Sequence, residues 1–223
     1  MKKSRVIVAV LLLSSFSAGA QFLYALGIAP GLSYGKEVWS KEQFGAKEKY
    51  LFGLNGSLLA EFFPNPVFKW RSEIMYNQLG TTELFDANTY INNTNYISFN
   101  NYLKIQHEFF RFMPYILIGP RVEYLFSRNA SIFPQAINNM YKLHLSAAIG
   151  AGVELISYSR FKLFTEVFYN RDVMPSFSGN VNGIPTVIIQ HDYEWRIGLK
   201  YVFKPRDKCP RVINPAGNPP GVM

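Results

Sequence analysis

Residues 193–203 read YEWRIGLKYVF, and the order of their side chains decides the fold. Tyr193, Trp195, Ile197, Leu199, Tyr201 and Phe203 are large and apolar, and Glu194, Arg196, Gly198, Lys200 and Val202 alternate with them. A period of two marks a β-strand whose two faces meet different surroundings. An apolar face with aromatic residues at both ends suits a lipid-facing strand with a ring of aromatics at each interface. The question for the rest of the chain is whether it supplies seven more such strands.

It does. Phe22, Tyr24, Leu26, Ile28, Pro30, Leu32 and Tyr34 form an apolar row with Ala25, Gly27, Ala29, Gly31 and Ser33 between them. A second row, Tyr50, Phe52, Leu54, Leu58, Ala60 and Phe62, opposes Gly53, Asn55, Ser57 and Glu61. Phe63-Pro64-Asn65-Pro66 then predicts a tight turn, because two prolines fix the backbone and remove donors. The third strand sets Phe68, Trp70, Ile74 and Tyr76 against Lys69, Arg71, Glu73 and Asn77. The fourth sets Ile97, Phe99, Leu103 and Ile105 against Ser98, Asn100, Lys104 and Gln106. In the fifth, Ile116, Ile118, Val122, Tyr124 and Phe126 point out, and Gly119, Arg121 and Glu123 point in. The sixth opposes Tyr141, Leu143, Leu145, Ile149, Val153 and Leu155 to Lys142, His144, Ser146, Gly150, Gly152 and Glu154. Leu163, Val167 and Tyr169 against Lys162, Glu166 and Asn170 make the seventh. The stretch 193–203 is the eighth.

Long connections (Lys36 to Lys49, Thr81 to Asn95, Arg128 to Met140, Arg171 to Ile189) alternate with short ones. That asymmetry belongs to an all-β, eight-stranded antiparallel up-and-down transmembrane β-barrel of the outer membrane, with tight periplasmic turns and longer outer loops. An even strand count puts both termini on the periplasmic side. Phe62, Phe68, Phe109, Phe161, Tyr201 and Phe203 then fall at the inner rim, and Tyr34, Tyr50, Tyr76, Tyr124, Tyr141, Tyr169 and Tyr193 at the outer one. A soluble barrel of lipocalin type has an apolar interior and a polar outside. Here the charges share faces with glycine and serine while the opposite faces are almost uncharged, so the polarity is inverted.

The 48% hydrophobic and 16% aromatic content of the 223 residues excludes general disorder. Residues 1–20 have a basic start, an apolar run from Val6 to Leu13, and small residues Ala18 and Ala20, the three-part pattern of a secretory signal peptide. Its removal lowers the formal charge from +8 to +5, and +3 of what is left lies in residues 204–223. Residues 21–203 form the barrel domain and carry little net charge, so no nucleic-acid partner is expected. The tail KPRDKCPRVINPAGNPPGVM has five prolines and little core-forming material. It reads as a periplasmic docking strip for a partner, with Lys204, Arg206, Lys208 and Arg211 supplying charge and Cys209, the sole cysteine, a site for a crosslink.

The inward faces hold eight basic groups, Lys69, Arg71, Lys104, Arg121, Lys142, Lys162, Arg196 and Lys200. Seven acids stand against them: Glu61, Glu73, Glu123, Glu154, Glu166, Asp192 and Glu194. Eight strands leave an interior just wide enough to be filled by side chains. Buried unpaired charges are costly, so the set should close into an interior polar network, whereas a selective pore carries rings of one sign. A plugged interior is expected over a small passive porin. Some small membrane barrels are lipid-modifying enzymes, which requires a nucleophile, a base and an orienting acid to converge. The histidines are spread along the chain: His144 faces in near the outer rim, His107 faces out near the inner rim, and His191 opens the last strand. No catalytic constellation, metal-ligand cluster or cofactor motif is visible in this order of residues, and the barrel is read as non-enzymatic.

FGLNGSLLAEF followed by WRSEIMYNQLG, YISFNNYLKIQ followed by PYILIGPRVEYLF, then AAIGAGVEL, FTEVFYN and the closing IGLKYVF resemble the strands of the PorT-like outer-membrane β-barrel proteins of Bacteroidota. The resemblance runs over nearly all of residues 22–203. Asn101 stands in the region where the family has a proline, and Phe168 where an arginine is common. The resemblance implies an outer-membrane barrel without cofactor, and type IX secretion as one envelope assembly in which such a barrel serves as a structural or accessory subunit.

Overall fold

The computed structural model describes residues 23–40, 47–85, 88–109, 111–129, 139–155, 160–181 and 184–203. The expected signal peptide and the tail from Lys204 lie outside the described residues.

Alternation produces strands throughout: β1 (Leu23–Trp39), β2 (Lys47–Phe62), β3 (Phe68–Phe85), β4 (Asn88–Gln106), β5 (Phe112–Asn129), β6 (Leu143–Leu155), β7 (Phe161–Asp172), β8 (Phe177–Val181) and β9 (Ile184–Val202). All pairings are antiparallel, in the order β1-β2-β3-β4-β5-β6-β7-β9. The ring closes where β9 meets β1, from Ala25↔Val202 to Trp39↔Ile188. β9, which contains the stretch quoted above, therefore pairs with both its neighbours and is the closing stave. Its odd positions from Tyr193 to Leu199 are exposed, and Asp192, Glu194, Arg196, Lys200 and Val202 are buried.

The same sorting holds around the ring. Leu58, Ile74, Phe99, Ile118, Ile149 and Val167 are exposed outside, while Glu61, Arg71, Asn100, Arg121, Glu154 and Glu166 are buried inside. Apolar surface of this extent, continuous around a closed sheet, has no counterpart on a water-soluble monomer. At the end with the long hairpins, Tyr34 stacks on Tyr50 at 4.6 Å, and Tyr169 meets Tyr193 at 5.2 Å with the rings tilted. At the other end Tyr201 sits 5.3 Å from both Phe161 and Phe203. Leu23 and Phe203, the first and last described residues, share this second end.

The short turns behave as their residues dictate. Phe63 takes a positive φ of 65°, and the Asn65 Oδ1 accepts from the N–H groups of Val67 at 2.8 Å and Phe68 at 3.0 Å. That is an asparagine-closed turn between prolines. Gly119-Pro120 also has a local cause. The β4–β5 ladder is interrupted opposite the pair, between Asn100↔Arg121 and Leu103↔Ile118, since proline has no N–H to give. A Cβ built on Gly119 would lie 1.8 Å from the Asn101 carbonyl oxygen, so only glycine fits. Inside the barrel, Gly150 leaves room for the Phe168 ring, the relief of crowding that glycine supplies in a narrow barrel.

Two expectations are corrected. Tyr24 does not continue the outer row of β1: a register shift between Leu23 and Ala25 puts both Tyr24 and Ala25 inside, where Lys69 Nζ lies 3.6 Å from the tyrosine ring centre. The connections after β3 and β7 also differ from the long loops expected. β3 and β4 pair as far as Phe85↔Asn88, and β7 is followed by the additional strand β8, hydrogen-bonded to the start of β9. Alternation in the segment from Tyr90 to Tyr96 and in the segment from Val187 to Ile189 simply carries the staves beyond the tyrosine ring. The apolar residues of these extensions meet one another: Leu79, Tyr96, Leu125, Met140, Phe177, Val181 and Ile188 form a buried cluster with Trp39 packed against it. This apolar core lies at the end of the barrel with the long hairpins.

Candidate functional site: the charged lumen

Because side chains alternate along each stave, every second residue is delivered to the axis, and strand register sets the height at which each meets the others. At the end with the short turns, Glu61 of β2 and Glu154 of β6 collect lysines. Lys104 of β4 bonds Glu61 Oε1 at 2.8 Å and also Glu154; Lys200 of β9 bonds Glu61 Oε2 at 2.7 Å and also Glu154. Lys69 stands 3.9 Å from Glu61.

The next layer is an arginine–glutamate square. Arg71 of β3 makes a two-pronged bond to Glu166 of β7, at 2.8 and 2.9 Å, and its Nε lies 2.6 Å from Glu73. Arg196 of β9 reaches Glu73 at 2.8 Å and Glu166 at 3.1 Å, with its guanidinium 4.1 Å from the centre of the Phe168 ring. The Tyr115 hydroxyl donates to Glu166 at 2.9 Å. Staves β3 and β7 are diametrically opposed in a ring of eight, so the Arg71–Glu166 pair spans the lumen. Fixed geometry, two-pronged bonds and full burial make such a set strong but intolerant of losing a member.

Toward the end with the long hairpins the balance changes. Arg121 of β5 bonds Glu194 at 2.7 Å and Glu123 at 2.8 Å. Asn77 donates to Glu194 at 3.1 Å, and Asn170 to Asp192 at 2.8 Å. Higher still, Gln190 donates to Glu37 at 3.2 Å and Asn92 to Glu83 at 3.0 Å. In this half Arg121 pairs with Glu123 and Glu194 and has Asp192 nearby, whereas Lys69, Lys104 and Lys200 gather at the opposite end.

Thirteen of the fifteen inward charges expected from the sequence are buried here: Glu61, Lys69, Arg71, Glu73, Lys104, Arg121, Glu123, Glu154, Glu166, Asp192, Glu194, Arg196 and Lys200. Lys142 is not: β6 begins only at Leu143, and Lys142 is exposed at the rim with the long hairpins. Lys162 is half-buried at the other rim and directly opposite Lys200, so like charges face each other and it makes no ion pair among the described residues. The large apolar groups inside, Tyr102, Tyr115, Leu117 and Phe168, form a cluster that the charge pattern alone did not flag. Nor are the ionisable groups as scattered as their order in the chain implies. His144 of β6 is brought beside Glu123 of β5 and Asp172 of β7. The docking residues Lys204, Arg206, Lys208, Cys209 and Arg211 lie outside the described residues.

No protein-family model matches this sequence, and no match is found among the curated proteins. Among solved structures, the outer membrane protein OprG from Pseudomonas aeruginosa is similar with a TM-score of 0.59 at 12% identity, over 82% of this chain and 98% of that one. Neisserial surface protein A overlaps 80% of this chain and 99% of its own at 14% identity, with a TM-score of 0.49. The likeness to OprG is one of fold: the chain has the architecture of an eight-stranded outer-membrane β-barrel.

Proposed function

We propose that the protein is a non-enzymatic barrel of the outer membrane, closed through its middle, that serves as a structural or accessory subunit of a larger envelope assembly. The observation that carries this reading is the spanning of the lumen by ion pairs between staves on opposite walls, Arg71 with Glu166 and Arg121 with Glu194. Side chains committed to such pairs leave no water-filled path, and a lumen of mixed sign lacks the one-signed rings of a selective channel. The apolar outer belt between two aromatic rings supports residence in lipid. In that setting the end with the short turns, which holds both barrel termini, faces the periplasm.

Residues 204–223 then leave the barrel on the periplasmic side, and their four basic residues and Cys209 supply a strip for a protein partner. The strand resemblance to PorT-like proteins adds type IX secretion as the assembly served. Affinity purification from native membranes, with the chain intact and with residues 204–223 removed, tests the docking role. A stoichiometric partner retained by the intact chain and lost on truncation is expected; an identical set of partners overturns it.

A further inference from the structure

Glu123, His144 and Asp172 come from three consecutive staves. Glu123 of β5 is paired directly with His144 of β6, and Asp172 of β7 is opposite Ser146, two residues further along β6. All three side chains leave the wall on its inner face, and one ligand atom from each lies within 4.8 Å of the other two. Zinc holds imidazole nitrogen and carboxylate oxygen at about 2.0–2.2 Å, which sets ligand atoms about 3–4 Å apart. Closing the triad on an ion requires shifts of about an ångström.

A second, independent feature is the histidine itself. The His144 side chain is 1% exposed, and neither ring nitrogen meets a partner in good hydrogen-bond geometry: Glu123 Oε2 stands 3.5 Å from Nε2, and the Tyr141 backbone is the other polar neighbour. A buried imidazole held by contacts this loose gains from a closer partner at one nitrogen. The carboxylates are already oriented. Arg121 holds Glu123 Oε1 at 2.8 Å and leaves the other oxygen toward the histidine. Asp172 Oδ2 accepts from the Ser176 hydroxyl and, at 2.9 Å, from the Gln190 N–H. Such outer hydrogen bonds fix ligand direction in metal sites. In the surrounding layer Arg121 pairs with Glu123 and Glu194, and Asp172 and Asp192 make no ion pair among the described residues.

We propose that Glu123, His144 and Asp172 form a site for a divalent transition-metal cation of the zinc class. One imidazole with two carboxylates suits such an ion, whereas calcium and magnesium take oxygen ligands. The ion joins three staves beneath the apolar core and offsets the acidic excess of this half of the lumen. Asp172, 8% exposed, is the side from which it enters. The inference is independent of any partner or secretion role.

The test is calorimetric titration of zinc chloride into the full-length protein, folded in detergent and stripped with a chelator, with folding checked by heat-modifiable gel mobility. One zinc per barrel is expected. His144→Gln and Asp172→Asn should each weaken binding at least about a hundredfold, beyond the roughly ten- to hundredfold lost with an orienting partner. His191→Gln and Cys209→Ser should leave it unchanged. No stoichiometric uptake by the folded protein, uptake that survives His144→Gln, or uptake abolished by Cys209→Ser overturns the site. If both ligand variants fail to fold, X-ray absorption on the zinc-loaded wild type decides: a shell with one imidazole and oxygens supports the site, and a sulfur-containing or all-oxygen shell refutes it.

Discussion

Arg196→Met keeps most of the length of a fully buried side chain and removes its charge. The arginine bonds Glu73 at 2.8 Å and Glu166 at 3.1 Å, touches the Ser57 hydroxyl at 3.3 Å and lies over the Phe168 ring at 4.1 Å. Without it, Arg71 is the cation left for two buried carboxylates in that layer. Removing one partner of a buried ionic set costs about 3–5 kcal/mol, because the other partner stays buried and uncompensated. Methionine restores much of the packing, so the loss is chiefly electrostatic. Urea unfolding of the detergent-folded barrel, followed by tryptophan fluorescence, should show stability lower by about 3–5 kcal/mol. Adding Glu73→Gln restores the balance of one arginine to one glutamate and leaves the two-pronged Arg71–Glu166 bond intact. The double variant should therefore regain about 0.5–3 kcal/mol, the coupling range of residues in one network. If Arg196→Met lies within about 1 kcal/mol of wild type, or if Glu73→Gln deepens the loss, the layer is not a coupled ionic unit and the reasoning fails.

The outer face and the close backbone contacts give further expectations. Ile197 is exposed midway between the two aromatic rings of β9, so Ile197→Arg should lower stability in lipid by about 2–4 kcal/mol; a change below about 0.5 kcal/mol by reversible unfolding in vesicles would count against a lipid-facing position. Gly119→Val should abolish heat-modifiable folding, because its Cβ would sit 1.8 Å from the Asn101 carbonyl oxygen. Wild-type yield of folded Gly119→Val would show that β4 and β5 are not so close.

The staves were legible because a period of two is a local property: YEWRIGLKYVF reveals its faces without knowledge of any neighbour, and burial along β9 follows the written order. The bulge that turns Tyr24 inward was not, since Tyr24 fits the apolar row and only the pairing with β2 breaks it. Between Thr81 and Asn95 the sequence is rich in Asn, Thr and Asp, which suit a loop, yet extended pairing of β4 with β3 outweighs that preference. Inside the lumen, the sequence marks which residues face in but not their height along the axis. Period two sends Glu123 and His144 inward, yet their meeting depends on the β5–β6 register, and Asp172 lies in the connection expected from Arg171 to Ile189. For the same reason the two ends of the lumen differ in charge although the whole set is near balance. Matching inward residues by height on adjacent staves is the signal that could have found the triad.

Planar-bilayer recording of the purified barrel bears most directly on the closed lumen. Ion pairs across the bore, with the apolar cluster above them, predict a flat baseline: insertion verified by protease protection, with no reproducible current steps across the usual range of voltage and salt. Ohmic steps of constant size that scale with salt concentration and recur with each insertion would contradict a lumen closed by Arg71, Arg121 and Arg196.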